Sequence, residues 1–159
     1  DLGGGLGVQY IDEDVASIQQ FAQLLLPKLK TLGLTLYLEP GRSIVANAGV
    51  LLTRVDILKP TEHKNFAIVD AAMNDLIRPA LYQAYHRIEN LSSELPEEEY
   101  DVVGPICESS DTFAKEYNMN KTKRGDIIAL RSAGAYGEIM ASQYNLRKLP
   151  KAYTSDDLK

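Results

Sequence analysis

Between residues 15 and 29 the apolar positions Val15, Ile18, Phe21, Ala22, Leu24, Leu25 and Leu29 recur at the three- and four-residue steps that line one face of a helix. Asp12-Glu13-Asp14 stand ahead of them and Lys28 and Lys30 behind, an arrangement that complements the helix dipole. Gly33 is placed to stop the helix. Residues 34–38 form a short apolar run that reads as a buried strand, closed by Glu39-Pro40-Gly41-Arg42. Loop, helix, strand and loop over residues 1–45 predict a unit of a parallel α/β fold. After Ser43 the pattern changes. Residues 45–58 are a long β-branched, periodic run broken by Pro60, and residues 65–69, 101–106 and 126–130 read as further strands. Residues 79–85 predict a short turn or helix and 96–99 an acidic loop. Residues 134–145 suit helix or strand, with Gly137 against either. Short strands between turns predict a mostly antiparallel β-barrel or sandwich over residues 46–147, followed by a polar tail at 148–159.

Composition narrows the function. The chain has 159 residues, 45% hydrophobic and 25% charged, the balance of a soluble globular chain of one domain or two small ones. A net charge of −5 speaks against nucleic acid as a partner. No apolar run reaches the ~18–20 residues of a membrane span. The single cysteine, Cys107, excludes an intrachain disulfide and points to a reducing compartment, the cytoplasm. The chain opens at Asp1 inside a glycine cluster, with no charged or apolar leader segment. The expectation is therefore a piece of something longer without a signal peptide.

Several motifs suit chemistry, each beside a plainer reading. Gly3-Gly4-Gly5 lets backbone approach an anion, and is equally a tight turn. Glu39-Pro40-Gly41-Arg42 puts a carboxylate, a rigid turn and a guanidinium at the C-terminal end of a strand, where sites of α/β barrels collect. The alternative is a turn whose Glu and Arg pair with each other. Cys107-Glu108-Ser109-Ser110-Asp111 follows a strand and Gly104-Pro105, a setting less buried than most free thiols have. Ser132-Ala133-Gly134-Ala135-Tyr136-Gly137 sets a tyrosine among residues too small to pack it, unless it lies across its own turn. Arg78-Pro79-Ala80-Leu81-Tyr82 alone would pass for a surface turn. His63 and His86 lack ligand spacing, so no metal is expected, and His86 reads as a surface histidine.

Together, residues 1–7, 39–42, 70–82, 104–111 and 132–144 resemble, in content and order, the diaminopimelate decarboxylase branch of the alanine-racemase-like (fold type III) pyridoxal-phosphate decarboxylases. The resemblance runs from residue 1 to about Arg147. The glycine triplet and Glu39–Arg42 are shared across the wider group. Residues 73–82 and 104–109 are similar to the diaminopimelate branch in particular. It implies the last part of a (β/α)8 barrel over residues 1–45 and a C-terminal β domain over 46–147, in a head-to-tail homodimer with shared active sites. It implies that Gly3, Gly4, Gly5, Gly41 and Tyr136 hold the phosphate of pyridoxal 5'-phosphate, with Arg42 beside it. Glu39 would face the pyridine nitrogen. Substrate contacts carry over as Arg42, Arg78, Tyr82, Glu108 and Tyr136, with meso-diaminopimelate as substrate, L-lysine and CO2 as products, and lysine biosynthesis as the setting. Arginines suit the unreacting carboxylate and Glu108 the unreacting ammonium. Cys107 would protonate the α-carbon, and Cys107 and Glu108 would serve the partner subunit's site.

The cofactor-linking lysine and the histidine stacked on the cofactor lie upstream in that family. No lysine here occupies a matching position, so the parent is expected to be the enzyme and these 159 residues alone to be inactive. Two alternatives remain open: a sister decarboxylase acting on ornithine, arginine or carboxynorspermidine, and a non-enzymatic cofactor-holding or interaction domain.

Overall fold

A computed structural model describes residues 1–158; Lys159, the end of the predicted tail, lies outside the described residues. The first helix, α1 (Ile18–Lys30), starts three residues later than the apolar pattern suggests. Ser17 sets the start through a capping box: its hydroxyl accepts from Gln20 N at 3.2 Å, and Gln20 Oε1 accepts from Ser17 N at 2.8 Å. The three acids therefore lie ahead of the first turn, a correction to the dipole reading. Glu13 instead accepts from Tyr10 N and Ile11 N at 2.8 and 2.7 Å. Lys28 and Lys30 do occupy the last turn, and Gly33 takes φ +63° just beyond it.

Residues 34–38 are not a buried strand. Leu34 is 76% exposed, and the segment makes one contact edge, with Leu2 N donating to Tyr37 O at 3.1 Å and Glu39 N to Gly3 O at 2.8 Å. A parallel strand is buried by layers covering both of its faces, and within this chain the segment stays exposed along most of its length. The expected strand start at residue 45 also moves. Gly41–Val45 is a short helix, α2, followed by a 3-10 turn at Ala46–Ala48. The Ser43 hydroxyl donates to Pro40 O at 2.8 Å across its start.

The strands are β1 (Leu51–Pro60), β2 (Asn65–Val69), β3 (Ile88–Asn90), β4 (Glu97–Val103), β5 (Thr112–Asn120) and β6 (Ile127–Leu130). A short helix, α3 (Arg78–Tyr82), lies between β2 and β3, with Pro79 in its first turn, where a missing N–H costs nothing. The six strands make one sheet in the order β3-β6-β1-β2-β4-β5. All pairs are antiparallel except β2 with β4. The edge strands approach each other, with Ile88 N donating to the Tyr117 hydroxyl at 2.9 Å, so the sheet nearly closes into a barrel.

Alternation along β1 explains the core. Thr53 and Val55 face inward while Leu52 and Arg54 face out. Val55 packs with Val69, Leu76, Ile88, Tyr100, Val102, Phe113, Met119, Ile128 and Leu130. Residues 65–69 form the strand expected of them. The predicted acidic loop at 96–99 instead opens β4, where Glu97 and Glu99 are exposed and pair with Asn120 and Asn118. That strand ends at Val103 rather than 106, ahead of Gly104-Pro105. Residues 134–145 are neither helix nor strand but carry two 3-10 turns, Glu138–Met140 and Tyr144–Leu146. The tail also holds one, Ser155–Leu158. No helix among the described residues is long and apolar enough to cross a membrane.

Candidate functional site

The glycine cluster and Glu39–Arg42 are in contact. A Cβ on Gly4 would stand 2.4 Å from the Glu39 carbonyl oxygen, so no other residue fits there without moving backbone. Gly3 and Gly5 take φ +66° and +89°, which L side chains rarely adopt, and a Cβ on either would meet open space. The result is an exposed, side-chain-free shelf against the Glu39 turn. The Glu39 side chain is exposed and Arg42 half-buried. They do not pair with each other; Arg42 instead donates from Nη1 to the Tyr10 hydroxyl at 3.3 Å.

That hydroxyl is shared. Arg78 Nη1 donates to it at 3.2 Å, and the same Nη1 lies 3.2 Å from His86 Nε2. Arg78 is therefore no surface-turn residue; it is 6% exposed. His86, expected at the surface, is 3% exposed, and its Nδ1 lies 2.9 Å from the Arg131 carbonyl oxygen. A guanidinium only donates, so Nε2 accepts and Nδ1 carries the proton to the carbonyl. Burial, and after it the Arg78 charge, hold the His86 imidazole below its usual range, which keeps it in this neutral form. The Tyr10 ring also meets the His86 ring edge-on at 5.9 Å. Neither Tyr10 nor His86 was legible as a site residue. Each is a lone aromatic without periodicity or motif around it; the one signal the sequence offers is that Tyr10 lies three residues after Gly7 of the glycine cluster.

The Tyr136 turn joins this group from the far end of the chain. Ala133 N donates to Gly49 O at 2.9 Å and Gly134 N to Ala46 O at 3.0 Å. A Cβ on Gly134 would stand 2.0 Å from Val45 O, so this approach requires glycine. Ala135 then packs with Val8, Ala46 and Tyr10. Tyr136 itself takes φ +61° and stays 50% exposed.

Cys107 and Glu108 sit elsewhere, on the loop between β4 and β5. Asp111 builds that loop. Its carboxylate accepts from Ile106 N and from Met73 N, both at 2.7 Å, tying the loop to the segment that leads into α3. Gly104 is required beneath it, since a Cβ there would lie 2.4 Å from both carboxylate oxygens. Burial pushes the Asp111 carboxyl above its ordinary range, against the lowering effect of the two N–H donors. Cys107 and Glu108 are exposed, and Tyr144 donates its hydroxyl to Glu108 at 3.3 Å. Among the described residues no hydrogen bond or ion pair joins Cys107 or Glu108 to the arginine pair. Tyr82 is 62% exposed, one helical turn after Arg78. No cluster of potential metal ligands occurs among the described residues.

A profile described as the C-terminal sheet domain of pyridoxal-dependent decarboxylases matches residues 11–134. A diaminopimelate decarboxylase of Bacteroides thetaiotaomicron is 56% identical over 99% of this chain and 42% of its own length. Among solved structures, diaminopimelate decarboxylase from M. jannaschii in co-complex with L-lysine superposes with a TM-score of 0.89 at 39% identity, over 94% of this chain and 36% of that one. The Helicobacter pylori enzyme complexed with L-lysine gives 0.84 at 49% identity, over 92% and 37%. The chain thus spans about two fifths of the length of the relatives it matches.

Proposed function

From a chain that belongs to the pyridoxal-dependent decarboxylases through their C-terminal sheet domain, we propose a parent enzyme that decarboxylates meso-2,6-diaminopimelate to L-lysine and CO2 with pyridoxal 5'-phosphate. The observation that carries the substrate is the convergence of Arg42 and Arg78 on one hydroxyl. Two guanidiniums drawn together make an anion subsite, and diaminopimelate brings an unreacting carboxylate that needs one. Ornithine, arginine and carboxynorspermidine lack that second amino-acid head.

The residues present fit the cofactor. The shelf at Gly3–Gly5, which tolerates no Cβ at Gly4, suits close approach of a phosphate to backbone. Gly41 and the Tyr136 hydroxyl would complete its contacts, with Arg42 beside it, and Glu39 would face the pyridine nitrogen and hold a proton there. When bound, the cofactor supplies the electron sink for the pair released as CO2 leaves. Arg42 and Arg78 fix the distal carboxylate, with Tyr82 and Tyr136 beside it. Glu108 takes the distal ammonium, and Cys107 returns a proton to the α-carbon. Among the described residues no hydrogen bond or ion pair joins Cys107 or Glu108 to the arginine pair, which fits their serving the partner subunit of a homodimer. In this reading residues 1–45 are the last part of a (β/α)8 barrel, 46–147 the β domain and 148–159 a polar tail. The enzyme works in the cytoplasm, where an exposed thiol such as Cys107 stays reduced.

The test is CO2 release by the full-length protein from diaminopimelate, ornithine, arginine and carboxynorspermidine. Diaminopimelate is expected to lead in kcat/KM by at least ~10²-fold, because a site built for a charged group rejects analogues that lack it. A lead for any of the others would overturn the assignment.

A further inference from the structure

We infer that Tyr10 is a specificity-determining residue, whose hydroxyl holds Arg42 and Arg78 as one carboxylate clamp and donates its own proton to the carboxylate they bind. The inference rests on the diaminopimelate reading and adds to it a residue from outside the sequence motifs.

The donor count carries the argument. Arg78 Nη1 has two hydrogens; one goes to the Tyr10 hydroxyl at 3.2 Å and the other to His86 Nε2 at 3.2 Å. Its Nε and Nη2 donate to no described residue, and neither is among the buried polar atoms left without a partner. Those two atoms form the side-on fork of the guanidinium, the geometry that meets a carboxylate with two parallel bonds. Tyr10 and His86 thus fix Arg78 from one side and leave its bidentate edge for a ligand. Arg42 Nη1 approaches the same hydroxyl at 3.3 Å. With both lone pairs of the Tyr10 oxygen accepting from arginines, its proton can go only to an acceptor outside them, and among the described residues the hydroxyl donates to none. An acceptor lying against the arginine fork is an anion. The Arg78 guanidinium also lies 5.8 Å from the Tyr10 ring centroid, so the ring supports the cation that the hydroxyl orients.

Decarboxylation removes one carboxylate of diaminopimelate and leaves the other on L-lysine. L-lysine therefore reports on the clamp, and cadaverine, the same chain without a carboxylate, does not. In the full-length enzyme, Tyr10→Phe keeps the ring against His86 and removes the hydroxyl. The loss of one hydrogen bond to a charged group is expected to raise KM for diaminopimelate and Ki for L-lysine roughly 10–100-fold. The Ki for cadaverine and the cofactor absorbance should stay within about 2-fold. Equal weakening of L-lysine and cadaverine would make Tyr10 a packing residue and overturn the inference, as would no change in either. Should the Phe variant not fold, His86→Asn removes the Nε2 acceptor behind Arg78, and the same split between L-lysine and cadaverine decides. If the unmutated enzyme does not turn over diaminopimelate at all, it is the functional reading that fails.

Discussion

Asp111→Asn is expected to destabilise this chain by about 2–4 kcal/mol. The carboxylate accepts two backbone N–H groups, one on each oxygen and each at 2.7 Å: Ile106 within the loop and Met73 in the segment before α3. A carboxamide has one oxygen for the two. Its nitrogen must face the second N–H, donor against donor. Losing one bond to a charged group removes roughly 1.5–3 kcal/mol, and a half-buried N–H left unpaired adds part of the roughly 1–3 that a fully buried one costs. Against this, burial already disfavours the charged carboxylate, as its raised pKa shows, so a neutral side chain recovers part of the loss. Room does not enter, because Asn and Asp are nearly the same size over Gly104. Urea denaturation of the chain near neutral pH, with the slope unchanged between variants, reads the difference directly. A loss below about 1 kcal/mol would mean that the two N–H groups find other partners, and the account of how this loop is tied to the α3 segment would be wrong.

His86 is held neutral, its folded pKa below the unfolded one, so its contribution to stability is complete above about pH 6.5 and is lost as pH falls toward the folded value. Thermal melts of the chain should therefore weaken between neutral pH and about pH 5, and His86→Gln should flatten that slope; an identical slope in the variant would refute it. Cys107 is exposed, so in the full-length enzyme Cys107→Ala should leave stability within about 0.5 kcal/mol while kcat falls ~10²-fold or more. Mixed dimers with chains lacking the cofactor-linking lysine should recover up to about half the activity, and failure despite proven subunit exchange would remove Cys107 from the partner's site.

Period and punctuation made much of the sheet legible. Residues 65–69 and 126–130 are compact apolar runs between turn residues, and the structure has strands at Asn65–Val69 and Ile127–Leu130. The two missed strands fail that test for different reasons. β3 has three residues, too few for a period, and β5 carries Lys115-Glu116 in its middle, where Glu116 takes φ +51° and its N–H turns to Asp101 at 2.9 Å. Residues 45–50 are apolar enough for a strand, yet Pro40 and the Ser43 hydroxyl favour helical turns there, and Gly134 docks onto them. Motifs brought out Gly3–Gly5 and Glu39–Arg42 because spacing is written in the chain, whereas Arg78 read alone as a surface turn and gained a role only through the family resemblance. Tyr10 stayed hidden because its meaning lies in Arg42 and Arg78, 32 and 68 positions away, and His86 because no motif links it to Arg78, 8 positions before it, or to the Arg131 carbonyl, 45 positions after it.

The pairing of β1 with β6 has a consequence in time. Leu51 pairs with Leu130, about 80 positions later in synthesis. At roughly 5–20 residues per second, β1 waits about 4–16 s on the ribosome for its second neighbour. The β1–β2 hairpin can form early, but one flank of β1 stays open until nearly the whole sheet has been made. The turn carrying Tyr136 is synthesised only after β6, so its contacts with Ala46 and Gly49 cannot form before β6 is made. A chain stalled before Ile127 would lack β6 and leave that flank of β1 as an open edge exposed to aggregation.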